Sequence, residues 1–173
     1  MTRGRMLVGL ATLAATGVGV LRRPARAAGS ATHPFEIAYS DAQWHERLSP
    51  AQYAVLRERG TERPESSPLN TEHRSGTFTC AACALPLYDS STKFESGTGW
   101  PSFYRALPRA IETTRDVSLL ETRTEVHCRR CGSHLGHVFD DGPRPTGLRY
   151  CMNGIALAFH ARRTGERALT SAD

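Results

Sequence analysis

Thr77-Phe78-Thr79-Cys80-Ala81-Ala82-Cys83 and, beyond 44 residues that follow Cys83, Cys128-Arg129-Arg130-Cys131-Gly132 are the stretches whose reading decides the fold. Each carries two thiols at a two-residue spacing, placed where a short strand is expected to end. A two-residue spacer lets a tight turn aim both sulfurs at one cation, and Gly132 relieves the second turn. Two such knuckles complete a tetrahedral four-thiolate shell, which prefers zinc and leaves no open position for a substrate. The gap is too long for a simple zinc ribbon, so the knuckles belong to separate hairpins. Cys80, Cys83, Cys128 and Cys131 are therefore expected to bind one structural zinc per chain. Two other readings of the spacing stay open. The pairs could be redox dithiols, although neither opens a helix after a strand, or disulfides if the compartment is oxidising.

Working outward, the chain between and beyond the knuckles reads as short strands with turn punctuation. Thr77 to Cys80 is one strand. Glu121 to Cys128 is a second, with Thr122, Thr124 and Val126 alternating against charged neighbours. Ile155, Leu157 and Phe159 alternate with Ala156, Ala158 and His160 in a half-buried last strand, with Cys151 near its start. Before the first knuckle the signals are helical. Ser40 and Asp41 cap a brief helix through Trp44 and Leu48. Ser49-Pro50-Ala51-Gln52 supplies an N-cap, a proline at the first helical position and a capping-box glutamine, and Gly60 is the expected stop. Residues 61–76 hold Pro64, Pro68, Ser66, Ser67 and Asn70, which is loop chemistry. The expected fold is mainly β, an antiparallel domain with a short helical N-terminal arm.

The net charge of +5 is misleading in its distribution. Residues 1–27 contain five arginines and no acid, and removing them leaves 17 basic against 17 acidic residues. A neutral body lacks the basic stripe of a nucleic-acid surface, so no nucleic-acid partner is expected. The same segment reads as an export signal. Arg3 and Arg5 form a charged start, Met6 to Leu21 is uncharged and apolar, and Ala25-Arg26-Ala27 offers the small residues of a cleavage site before Ala28. The apolar run is shorter than a comfortable membrane span of about 20 residues, which favours a signal over a permanent anchor. Arg3-Gly4-Arg5 resembles a twin-arginine signal with its pair split. The expected organisation is a signal at 1–27, a leader at 28–39, a domain at 40–163 and a tail at 164–173. The mature protein is expected outside the cytoplasm, in the periplasm or an equivalent space, with a membrane tether or a cytoplasmic product as the alternatives.

The fifth cysteine, Cys151, stands alone. A lone cysteine is more often a small buried hydrophobe than a nucleophile. Its neighbours shift that balance. Arg149 shares its strand face and would favour a thiolate, Asn153 can donate hydrogen bonds, and His134 and His137 follow the second knuckle, where a rigid site could aim them. Ser96-Gly97-Thr98-Gly99-Trp100-Pro101-Ser102-Phe103, Arg123-Thr124-Glu125-Val126, His134-Leu135-Gly136-His137-Val138-Phe139, Gly142-Pro143-Arg144-Pro145-Thr146-Gly147 and Arg149-Tyr150-Cys151 together resemble the signature blocks of type B methionine sulfoxide reductases. The similarity spans about residues 40–160, in the family's order, with both knuckles included.

The resemblance implies a fold of two small sheets of the β-tent type and a set of roles. Cys151 matches the nucleophile that attacks the sulfoxide sulfur. Trp100, with Phe139, matches the wall that receives the substrate's methyl group. His134, His137, Asp141, Arg149 and Asn153 match the groups that hold substrate, order water and support protonation of the sulfoxide oxygen. Family members reduce the R epimer of methionine sulfoxide, usually within a protein, and a monomer is expected. Many members carry a resolving cysteine where this chain has Thr98. With four cysteines assigned to zinc, the sulfenic acid expected on Cys151 has to be reduced by an external thiol, thioredoxin-like or other. Two readings from other classes compete: a zinc-stapled β module that binds without turnover, and a zinc hydrolase using His134 and His137, which needs an open metal position that four thiolates do not leave.

Overall fold

Two consecutive capping boxes set the start of the ordered chain in the computed structural model, which describes residues 35–118, 121–163, 165 and 167–169. The export signal read at 1–27, and the leader up to residue 34, lie outside the described residues, as does part of the tail. Helix α1 (Asp41–Arg47) starts where Ser40 accepts from the Gln43 amide while the Gln43 side chain accepts from Ser40. Helix α2 (Pro50–Leu56) repeats the device with Ser49 and Gln52, and Pro50 sits at the first position, where its missing N–H costs nothing. The helix does not run on to Gly60. It ends at Leu56, and the left-handed residue beyond it is Arg59, at φ 61°. Gly60 is needed for close approach instead: its amide donates to the Ala54 carbonyl, and a Cβ there would sit 2.8 Å from that oxygen.

Among the described residues nine strands follow: β1 (Gly76–Cys80), β2 (Pro86–Asp89), β3 (Lys93–Phe94), β4 (Ser102–Phe103), β5 (Ile111–Asp116), β6 (Arg123–Cys128), β7 (His134–Phe139), β8 (Arg149–Met152) and β9 (Leu157–Ala161). They form two antiparallel sheets, one ordered β2-β1-β9 and the other β3-β4-β8-β7-β6-β5. This is the mainly antiparallel, two-sheet architecture that the sequence predicts. Aromatic rings tie the sheets together. Phe103 of β4 stacks on Tyr88 of β2 at 4.3 Å and meets Phe78 of β1 edge-on at 4.9 Å. Leu87, Val126, Leu135 and Met152 complete this core, and Trp44, Val55 and Leu56 bring the helical arm onto it. Among the described residues no helix is long and apolar enough to cross a membrane.

Two strand readings need correction. Ile155 is not in the last strand: Gly154–Ala156 is a 3-10 turn, β9 begins at Leu157, and Cys151 lies in the separate strand β8. Apolar alternation marks the residues that face the core and cannot register a turn that keeps the same faces buried. In β6 the alternation fails. The strand starts at Arg123, and Glu125 and His127 are buried along with Val126. Glu125 is held inside by partners that come from distant parts of the chain.

Candidate active site

The two knuckles adopt one backbone form. After Cys80 the Cys83 and Ala84 amides return to the Cys80 carbonyl, and the Cys80 amide donates to Leu85; after Cys128 the Gly132 amide returns to Cys128 and the Cys128 amide donates to Ser133. The residue after each second cysteine is left-handed, Ala84 at φ 58° and Gly132 at φ 68°. The four sulfurs lie within 4.8 Å of one another, with Cys80 and Cys131 3.8 Å apart and Cys83 and Cys128 3.5 Å apart. Zinc–sulfur bonds of about 2.3 Å would put tetrahedral thiolates roughly 3.8 Å apart, so the residues fit a four-thiolate ion. A disulfide needs sulfurs at about 2.0 Å, and all five cysteines are free. The cluster can hold a metal ion.

Cys151 lies on another part of the larger sheet, half-buried in β8. Strand pairing sets its neighbours: His137 of β7 faces it on one side and Ser102 of β4 on the other. With Trp100, Arg123, Gly136, Phe139 and Asn153, Cys151 and His137 line a cleft of about 120 Å³, on the scale of one side chain. Gly136 permits the close pairing, because a Cβ there would lie 2.1 Å from the Cys151 carbonyl oxygen. Trp100 is fixed by its indole N–H, which donates to the Glu62 carbonyl at 3.2 Å. Thr98 approaches Cys151 from outside this cleft, its hydroxyl 3.7 Å from the sulfur. Arg149 grips Asp141 through two bonds of 2.8 Å and lies over the Phe139 ring at 4.3 Å. Arg149 and Asp141 line a neighbouring groove together with Thr98.

A bulge aligns the two histidines. Residues three apart in a regular strand point to opposite faces, but Val126 and His127 of β6 are opposed by three residues of β7, His134 to Gly136. The rings consequently meet edge-on at 5.5 Å. Each is held by a carboxylate: His134 Nδ1 is 2.8 Å from Glu125 and His137 Nε2 is 2.7 Å from Asp116. Glu125 is anchored in turn by Arg59 and Thr114, and Asp116 by Arg123 and Ser118. Burial pushes His134 down to about 4, so at neutral pH it is uncharged and donates from Nδ1 to Glu125, leaving a buried Nε2 without a partner. Burial also lowers His137, but the bond to Asp116 opposes it. Bonds from Ser118, with help from His137 and Arg123, hold the Asp116 carboxyl well below the usual range. His137 lines the cleft; His134 is buried behind it.

Residues 48–161 match the family model described as the SelR domain. The chain belongs to the SelR family. Curated proteins named peptide methionine sulfoxide reductase MsrB resemble it along most of their length. The one from Thiobacillus denitrificans is 55% identical over 71% of this chain and 94% of the relative. The one from Leifsonia xyli is 56% identical over 72% of this chain and 91% of the relative, and that from Methanosarcina barkeri 51% identical over 76% and 93%.

Within this SelR domain the sequence reading missed three acids. Asp116 and Glu125 stand behind the histidines. Glu62 accepts from the Gly154 and Ile155 amides, and its own amide donates to Asn153 Oδ1 at 3.0 Å. Asn153 also donates to the Leu135 carbonyl, so most of its amide is engaged by the fold. Glu125 was within reach of sequence reasoning, as the one acid inside an otherwise core-facing stretch of β6. Asp116 and Glu62 carry no signal, because only the β5–β6 register and the path of loop 61–76 bring them to the site.

Proposed function

We propose that this chain, a peptide methionine sulfoxide reductase of the SelR family, reduces the R epimer of methionine sulfoxide through the sulfur of Cys151. The observation that carries the reading is the cleft in which Cys151 faces His137 beneath the Trp100 and Phe139 walls. The substrate methyl lies against Trp100, which turns the sulfoxide sulfur to Cys151 and the oxygen toward the polar groups. The Cys151 thiolate attacks sulfur while the oxygen gains a proton, without which it is a poor leaving group. His137, oriented through Nε2 by Asp116, supplies that proton from Nδ1 when protonated. Arg149, held by Asp141, keeps a positive charge beside the reacting sulfur, and His134 and Asn153 hold His137 and β8 in place. The oxygen leaves the substrate sulfur as its S–O bond breaks, and an oxygen from water then bonds to Cys151 as the transient sulfur–sulfur bond breaks. Two electrons have then passed from Cys151 to the sulfoxide, leaving methionine and a Cys151 sulfenic acid. One external thiol displaces water from it as a mixed disulfide and a second frees Cys151.

Cys80, Cys83, Cys128 and Cys131 would hold one zinc, which supplies folding energy and no open coordination site. Export by residues 1–27 would place the enzyme outside the cytoplasm, on oxidised proteins there. A reporter fused to residues 1–32 would then be exported. The primary test is reduction of each epimer of a methionine sulfoxide peptide with dithiothreitol, by the parent and by Cys151→Ser. Turnover of the R epimer by the parent alone is expected. Equal turnover by Cys151→Ser would overturn the assignment.

A further inference from the structure

A row of three hydroxyls ends on the Cys151 sulfur. Thr98 Oγ1 is 3.7 Å from Cys151 Sγ and 2.8 Å from Ser96 Oγ, which is 2.7 Å from Ser102 Oγ. Ser102 is fully buried and reaches the Trp100 carbonyl at 3.2 Å. Each hydroxyl has one proton to donate, so the direction of the row follows the protonation of the sulfur. With a protonated thiol, the protons point inward, from Cys151 to Thr98, Ser96, Ser102 and the Trp100 carbonyl. A thiolate can only accept. Thr98 must then turn to donate to sulfur, and full reversal, with Ser102 donating to Ser96 and Ser96 to Thr98, keeps every hydroxyl-to-hydroxyl link and gives up only the Trp100 carbonyl. A carbonyl cannot keep a proton, so the row carries none away.

We propose that Thr98 is a further catalytic residue of this chain, donating to the Cys151 thiolate, with Ser96 and Ser102 as positioning residues that reverse with it. The inference rests on the reading of Cys151 as nucleophile. Hydrogen bonds to an ionised acceptor are about twice as strong as neutral ones, and each donor in a row polarises the next. Reversal therefore concentrates three dipoles on the sulfur when it becomes charged.

The test reads the sulfur directly. The full chain is treated with iodoacetamide at pH 7, and the rate of alkylation is followed by mass spectrometry on the Cys151 peptide, which separates it from the zinc-binding cysteines. Thr98→Val is expected to slow alkylation at least about threefold, as loss of a charge-assisted bond requires. Thr98→Ser should stay within about twofold of the parent, and Ser96→Ala, which leaves Thr98 in place, should also slow it. In the reductase assay both slow variants should lose kcat with KM unchanged. A Thr98→Val rate equal to the parent overturns the proposal, as does a Ser96→Ala rate equal to the parent beside a slow Thr98→Val. Failure of the nucleophile reading would look different, since Cys151→Ser would then keep its reductase activity.

Discussion

His134 and His137 are three residues apart, yet they face different tasks. His137 lines the cleft opposite Cys151 with Asp116 behind it, so His137→Ala should slow the chemical step more than binding. A general acid contributes about 10²- to 10⁴-fold, and a kcat within about twofold of the parent would remove His137 from the proton work. Trp100→Ala should instead raise KM by removing a shaped wall. If His134→Ala collapses activity and His137→Ala does not, the two roles are reversed. His134 should also be visible in stability. Between pH 6.5 and about 4 the unfolded chain takes up a proton on this ring that the folded chain refuses, so stability falls as the pH falls through that window. The contribution is up to about 3 kcal/mol at 1.36 kcal/mol per pKa unit. Thermal unfolding of His134→Gln should lose less between pH 7 and pH 4.5 than the parent does; an identical loss would mean the ring is not buried neutral. The histidines were legible in the sequence through the blocks around them. Asp116 was not, because its role comes from pairing across β5 and β6 and from no local pattern.

At the scale of elements, the two knuckles are one structure made from two sequences, and they differ at a single informative place. The left-handed position after the second cysteine is glycine in one and alanine in the other, Gly132 and Ala84. A left-handed alanine costs about 1–2 kcal/mol, part of which a glycine returns through its floppier unfolded chain. Ala84→Gly should therefore leave stability unchanged or raise it by up to about 1 kcal/mol. Gly132→Ala should destabilise, because its Cβ would fall 2.2 Å from the Phe35 ring. Cys80→Ser or Cys128→Ser should lose metal and lower the Tm together, measured by metal analysis and calorimetry on the same sample. Purified parent with two disulfides and no stoichiometric metal would show that compartment outweighs spacing. The knuckles and capping boxes were readable because each is a local motif whose partners lie within a few residues. The β6 faces and the start of β9 were not, since the burial of Glu125 depends on Arg59 and the 3-10 turn at Gly154 on Glu62, both far away in sequence.

For the molecule as a whole, the distribution of five cysteine thiols decides how a catalytic cycle can close. All five cysteines are described, four of them gathered in one cluster, and the Cys151 sulfur has the Thr98 hydroxyl at 3.7 Å and the Arg149 guanidinium as hydrogen-bond partners. A disulfide between Cys151 and a cluster member would need Cα atoms within about 7 Å and would dismantle the four-thiolate shell. Oxidation of Cys151 should thus stop at the sulfenic acid until a second molecule supplies a thiol. Treated with substrate and no reductant, the protein should gain one oxygen on Cys151, trapped with a sulfenic-acid reagent and located by peptide mass spectrometry, with no new disulfide. One methionine should be released per chain, and continued turnover should require added dithiothreitol or a thioredoxin-like dithiol. A Cys151 disulfide to Cys80, Cys83, Cys128 or Cys131 would mean that the cluster is a redox reservoir and not a staple. The external donor would then meet a disulfide in place of a sulfenic acid, and would still be needed for every turnover, so this measurement bears on the form in which electrons enter as much as on the chemistry.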